Sequence, residues 1–370
     1  MIKSLMTSIA LMLFLPSLAY GKTLTTVSDK LNQHIEHYVE EENFQGAILL
    51  AKQGKIVFEK AYGFADIENE IPNTTQHQFL IGSMTKSFTA VAVMRLVEQN
   101  KLDLHAPIAT YIPKLDSKLA NGITLHHLLK HQSGLTRHLE HLASFEEKDI
   151  TSSEILSIIN TSEQSFEPGT QYEYGNLNYH LAALAIENVT GKSYAEAMHT
   201  LVFAPLQLQQ SGVERIATPP KSRANGYRKS MFGINRDENI VSYALGTGDI
   251  YSTVEDILKW EQALYTSSFL SQQSLDLIFK GENKVFGYYG YGFRIREYQR
   301  SSEHTKFGKL TRHGGSMDGF SSNLHRYTDD QLTVIILANV RGFPIRTLTF
   351  ELKEIALGAD SMQRNRTPYE

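Results

Sequence analysis

Phe79-Leu80-Ile81-Gly82-Ser83-Met84-Thr85-Lys86 is the stretch from which the rest of the chain is best read. It opens a helical pattern from Ser83 to Gln99, in which Phe88, Val91, Ala92, Arg95, Leu96 and Gln99 recur with helical spacing and an apolar majority. Asn100 can take the left-handed stop that glycine usually fills. Residues three apart on a helix share a face, with Cβ atoms about 5–6 Å apart, so Lys86 is expected to reach the Ser83 hydroxyl. Ser83 would sit in the first turn, where the helix dipole favours developing negative charge. A hydroxyl becomes a nucleophile once a base takes its proton, and a desolvated lysine is such a base. The spacing alone decides nothing. With 30 serines and 21 lysines in 370 residues, chance gives about two Ser-x-x-Lys matches, and the chain has one. In isolation, an N-cap serine followed by an exposed lysine is the better reading.

Two later segments change the balance. Tyr174-Gly175-Asn176 follows the turn Phe166-Glu167-Pro168-Gly169-Thr170. A phenol held near a lysine has its proton loss favoured and can serve as a base. An amide such as Asn176 can hold a lysine and a substrate carbonyl together. Alone, these residues read as a half-buried aromatic beside a turn asparagine. His313-Gly314-Gly315-Ser316 ends a β-rich run. Its glycines would let a substrate approach the strand backbone, and the Ser316 N–H could pair with that of Ser83 as an oxyanion hole. Alone, this too is a Gly-rich strand end.

Outward from these motifs, residues 28–42 carry Leu31, Ile35, Tyr38 and Val39 on one helical face. Gly46–Ala51 and Lys55–Glu59 flank Gln53-Gly54 as a hairpin. Residues 103–245 read as mostly helical, with helices at 123–130, 152–160, 179–189 and 194–202. Another helix follows Thr253. Strands are expected at 288–295, 309–313, 321–327 and 332–337, and a helix at 344–357. Strands at both ends with helices between them predict one α/β domain, 22–105 plus 246–370, into which a helical domain, 106–245, is inserted.

Ser-x-x-Lys, Tyr-x-Asn and His-Gly-Gly in this order resemble the serine β-lactamase and penicillin-binding-protein superfamily. The chain is most similar to the branch holding class C β-lactamases, D-alanyl-D-alanine carboxypeptidases and related esterases. Phe79–Gly82, Leu96–Leu104, Leu128–Leu135, Glu167–Asn176, Gly246–Trp260 and His313–Ser322 carry the likeness, which covers about residues 30–345. It implies an α+β fold: an antiparallel sheet flanked by helices on both faces, an inserted all-α domain, and the site between them. It implies Ser83 as the acylated nucleophile, with Lys86 and Tyr174 sharing acid–base work. Asn176, His313, Gly314, Gly315 and Ser316 would bind substrate, with the Ser83 and Ser316 N–H groups as oxyanion donors. Substrates would be D-amino-acid peptides or related amides and esters, including β-lactams, with no cofactor. The alternatives are a promiscuous esterase or weak β-lactamase, and a non-catalytic binder of cell-wall peptides.

His313 stands where many members have lysine. An unperturbed histidine is mostly neutral at pH 7, so if its charge holds a substrate carboxylate, affinity rises as pH falls through its pKa. Pro205-Leu206-Gln207-Leu208 has glutamine where that branch often has glycine.

Composition narrows the partners. A formal charge of −4 gives no reason to expect nucleic acid or an anionic membrane. There is no cysteine, so neither disulfides, a cysteine nucleophile nor a thiolate zinc site is available. His126, His127 and His131 do not make a metal site, because adjacent histidines point apart on a helix. Residues 1–21 read as a secretory signal: Lys3, an apolar run from Ile9 to Leu15, Pro16, and Ala19-Tyr20-Gly21 before cleavage. The expected location is periplasmic or secreted, with no membrane segment after cleavage.

Overall fold

The computed structural model describes residues 26–358, apart from 121, 136–137, 145–147, 232, 238–240 and 301–305; the expected signal segment lies outside the described residues. Helix α1 (Val27–Glu42) starts at a capping box. Thr26 Oγ1 accepts the Asp29 N–H at 3.1 Å, and the Asp29 carboxylate accepts the Thr26 N–H at 3.0 Å. Leu31, Ile35 and Tyr38 form its buried face, and Asn43 ends it in the left-handed region at φ 56°. β1 (Gly46–Lys52) and β2 (Lys55–Tyr62) form the expected hairpin. Both turn residues, Gln53 and Gly54, have positive φ, the geometry that matches the twist of paired strands.

The chain then leaves this sheet for some 230 residues and returns as β3 (Arg294–Gln299), β4 (Phe307–Met317), β5 (Phe320–Tyr327) and β6 (Leu332–Ala338). The sheet order is β3-β4-β5-β6-β1-β2, antiparallel throughout. Every residue of β6 is buried, because both faces are covered. Val334, Ile336 and Ala338 point toward α1 and α5 (Ile345–Ala356), while Ile335 and Leu337 point toward α2 (Thr85–Glu98) and α4 (Val254–Ala263). This confirms the α+β class with helices on both faces.

Helix α2 is buried almost all round, more than its single expected stripe. Phe88 stacks on Trp260 of α4 at 4.1 Å, and α2 also packs against α3 (Leu177–Thr190). Residues 103–245 are less uniformly helical than the pattern suggested. Gly212–Val213 joins a small sheet with Phe79–Leu80 and Ile250–Ser252, and Tyr227–Ser230 pairs with Gly233–Arg236. That second hairpin is polar and largely exposed, so no apolar alternation signals it.

Candidate active site

Ser83 does not lie in the α-helix itself. It occupies a 3₁₀ turn, Gly82–Met84, which runs directly into α2. Two close backbone approaches fix this turn against β4. Gly82 has φ +50°, and a Cβ there would lie 2.8 Å from the Ser316 nitrogen. A Cβ on Gly315 would lie 1.9 Å from the Ile81 carbonyl oxygen. The glycine at 315 is thus demanded by the protein's own backbone. Ser322 Oγ, on β5, donates to the same Ile81 carbonyl at 2.7 Å.

Lys86, one turn on, is fully buried. Its Nζ lies 3.1 Å from Ser83 Oγ and donates to the Thr247 carbonyl at 2.9 Å. The sequence offers Asn176 as one group able to hold this lysine. Asn176 Oδ1 is instead buried and accepts no hydrogen bond among the described residues. The Thr247 loop is braced from both sides. The Gly246 N–H donates to Asp249 Oδ1 at 3.0 Å, and the Gly246 carbonyl accepts from Thr89 Oγ1 at 2.8 Å. Asp249 is fully buried and pairs with Arg215 at 3.1 Å; burial pushes its carboxyl up to about 6.

Tyr174 comes from the extended segment before α3. The Lys86 Nζ stands 5.2 Å from the centre of its ring. Hydroxyl, amine and phenol, which are 3 and 88 residues apart along the chain, therefore meet. Burial pushes the Tyr174 phenol up to about 12, outweighing the lowering influence of Ser83 and of the Arg294 charge, so it holds its proton at rest. Beneath it lies His131, 4.3 Å between ring centres, whose Nδ1 accepts the Gly175 N–H at 3.3 Å. His131 is fully enclosed, and burial drives it well below the usual histidine range.

His313 accompanies these groups, with Nε2 2.9 Å from the Tyr289 hydroxyl and Nδ1 2.7 Å from the Gly314 carbonyl. Burial, then the charges of Arg294 and Lys86, holds it well below the usual histidine range, so it is neutral at pH 7. The fixed positive charge at this end of the cleft belongs to Arg294, which sequence reasoning missed. Its guanidinium carbon lies 5.3 Å from the Tyr174 ring centre and 5.7 Å from that of Tyr289. Ser316 is exposed at the cleft end of β4. Thr247 could not have been found from its side chain, because its carbonyl does the work. Among the described residues no cluster of three or more potential metal ligands occurs.

Comparison with known proteins identifies the family. The Beta-lactamase family model matches residues 31–356. Teichoic acid D-alanine hydrolase from Staphylococcus aureus is 28% identical over 326 residues, covering 87% of this chain and 77% of that protein. The octameric penicillin-binding protein homologue from Pyrococcus abyssi superposes with TM-score 0.77 at 25% identity, covering 89% of this chain and 77% of its own. D-amino acid amidase from Ochrobactrum anthropi superposes with TM-score 0.76 at 25% identity, covering 89% and 97%. With its family match spanning most of the sequence and its fold shared with these proteins, the chain belongs to the β-lactamase family and is a serine hydrolase.

Proposed function

We propose that the protein hydrolyses amides or esters of D-amino acids through an acyl-enzyme on Ser83. The observation that carries this reading is the 3.1 Å approach of the buried Lys86 amine to Ser83 Oγ, with the Tyr174 ring centre 5.2 Å from the same amine. Lys86 takes the serine proton as Oγ attacks the substrate carbonyl. The Ser83 and Ser316 N–H groups receive the oxyanion. Tyr174, protonated at rest, gives its proton to the leaving group as the scissile bond breaks, and the proton on Lys86 replaces it. Water then attacks the acyl carbon, giving one proton to the same pair, and Ser83 leaves as the free hydroxyl. Asn176 lies ready to bind the acyl amide, and His313, Gly314 and Gly315 line the strand along which it would lie.

The D-amino-acid class is supported by the names of two proteins the chain is similar to, a teichoic acid D-alanine hydrolase and a D-amino acid amidase. Export through residues 1–21 fits a cell-wall substrate. Among the described residues no helix is long and apolar enough to cross a membrane. Turnover of a chromogenic D-alanyl ester, a D-alanyl-D-alanine peptide and a β-lactam tests the reading. The D-alanyl compounds should be cleaved by the parent and not by Ser83→Ala. Equal rates in parent and variant would end the assignment of Ser83.

A further inference from the structure

A cavity of about 610 Å³ opens at the end of β4 away from Ser83. Three side chains of the sheet floor it. Thr311 of β4 and Arg326 of β5 are direct cross-strand partners, and Lys309, two residues before Thr311, shares their face. This is the face that carries Ile335 and Leu337, since Arg326 in turn pairs with Thr333 of β6. The walls are the Tyr265 ring, just after α4, and Leu275 and Phe279 from the helix Gln272–Ile278 and its end. Lys309 precedes Ser316 by seven residues, roughly 23 Å along a strand, so the cavity is separate from the catalytic cleft.

Arg326 is buried, and its guanidinium is only partly used. Nε donates to Glu261 Oε1 at 3.0 Å and Nη1 to Thr311 Oγ1 at 3.2 Å. Glu261 is filled in turn: Thr333 Oγ1 donates to Oε1 at 2.9 Å and Gln262 Nε2 to Oε2 at 2.6 Å. The pair therefore needs no further partner for the carboxylate, yet Arg326 Nη2 makes no hydrogen bond among the described residues. The guanidinium carbon lies 4.5 Å from the Tyr265 ring centre and 4.7 Å from that of Phe279. Lys309 Nζ stands 5.8 Å from the same Phe279 ring, with neither a hydrogen bond nor an ion pair among the described residues. Partial burial, then the Arg326 charge, holds Lys309 below the usual lysine range. Two cationic donors thus gather on one aromatic ring with nothing to receive them, and a guanidinium gains most from a carboxylate or a similar planar acceptor.

We propose that this cavity is a second ligand site, apart from Ser83, for a small carboxylate carried on an apolar body. The carboxylate takes Arg326 Nη2 and Lys309 Nζ, and the apolar body lies against Leu275 and the Tyr265 and Phe279 rings. Charge sets the class. Glu261 cancels Arg326, and of the remaining lining charges Lys309 and Lys280 stand against Asp276, which leaves one positive charge. One positive charge suits a single carboxylate better than a doubly charged phosphate. The site stands or falls independently of the chemistry at Ser83.

The test is an NMR titration of the full chain with phenylacetate, its neutral isostere phenylacetamide, and acetate. The parent should bind phenylacetate at least about tenfold more tightly than phenylacetamide, the worth of one charge-assisted contact. Acetate should bind more weakly than phenylacetate, because it buries no ring. Lys309 is exposed at the cavity mouth, so Lys309→Gln should fold as the parent does. It should weaken phenylacetate by about tenfold and leave phenylacetamide unchanged. Added salt should weaken phenylacetate alone of the two aromatic probes. Arg294→Gln, in the catalytic cleft, should bind all three probes as the parent does. No binding of phenylacetate by the parent overturns the proposal, as does equal affinity for the amide. An affinity that survives Lys309→Gln but falls in Arg294→Gln places the probe in the catalytic cleft and overturns it too.

Discussion

Replacing Gly315 with alanine should separate the site from the fold. The added Cβ would lie 1.9 Å from the Ile81 carbonyl oxygen and 2.6 Å from Ser322 Oγ. Ordinary contact begins at 3.4 Å, so β4 or the Ser83 turn must give by about 1.5 Å. Backbone stands on both sides, so no side-chain rotation relieves the clash. Overpacking of this kind costs about 1–3 kcal/mol, several degrees of melting temperature for a protein this size. The displacement moves Ser316 relative to Ser83, and a misplacement of about 1 Å costs on the order of 100-fold in rate. Gly314 provides the control. Its Cβ would meet the Asn323 side-chain oxygen at 3.1 Å and the Ser322 carbonyl oxygen at 3.3 Å, contacts that a shift of a few tenths of an ångström relieves. Gly314→Ala should therefore keep the melting temperature of the parent, whatever it does to substrate lying along the strand. The assay is kcat/KM on a chromogenic D-alanyl ester, with the melting temperature of each variant. Gly315→Ala matching Gly314→Ala in both would refute the claim that contact with Ile81 sets the position of β4.

Three further outcomes follow. Lys86→Met should abolish acylation, by at least about a thousandfold, while leaving the melting temperature unchanged or higher, because an apolar isostere no longer carries a buried amine. Apparent affinity for an anionic ester should be flat from about pH 6 to 8, since His313 is already neutral across that window; a rise on acidification that vanishes in His313→Gln would contradict this. Asp249, pushed from 3.8 to about 6, binds more protons folded than unfolded between those values, so its contribution is full at low pH and lost as pH rises through 6. Denaturant titrations should show the parent gaining up to about 3 kcal/mol over Asp249→Asn from pH 7 to pH 4, and parallel curves would contradict the burial of that carboxyl.

What could be read from the residues depended on how each one does its work. Ser83 and Lys86 lie three positions apart where a 3₁₀ turn runs into α2, so the spacing predicted their contact, and the other motifs were needed to single it out. Tyr174 acts from another element, and only the joint order of three motifs tied it to them. Thr247 acts through a backbone carbonyl, for which any residue would serve, and nothing in its type announces it. Arg294 matters through its register against Arg312 and its place on the Tyr174 ring, both set by the fold. The strand expected at 288–295 begins at Arg294, after the loop that carries Gly290 and Gly292. The strand expected to stop at His313 instead continues through Gly314 and Gly315, because pairing with β5 holds glycines whose own β-propensity is low. In each case tertiary pairing overrode the local preference.

The most direct test of the central claim is the mass of the protein after exposure to a fluorophosphonate. The account predicts a single adduct on the peptide holding Ser83, absent from Ser83→Ala and strongly slowed in Lys86→Met. An adduct of equal yield in Ser83→Ala, or one seated on another serine in the parent, would contradict it.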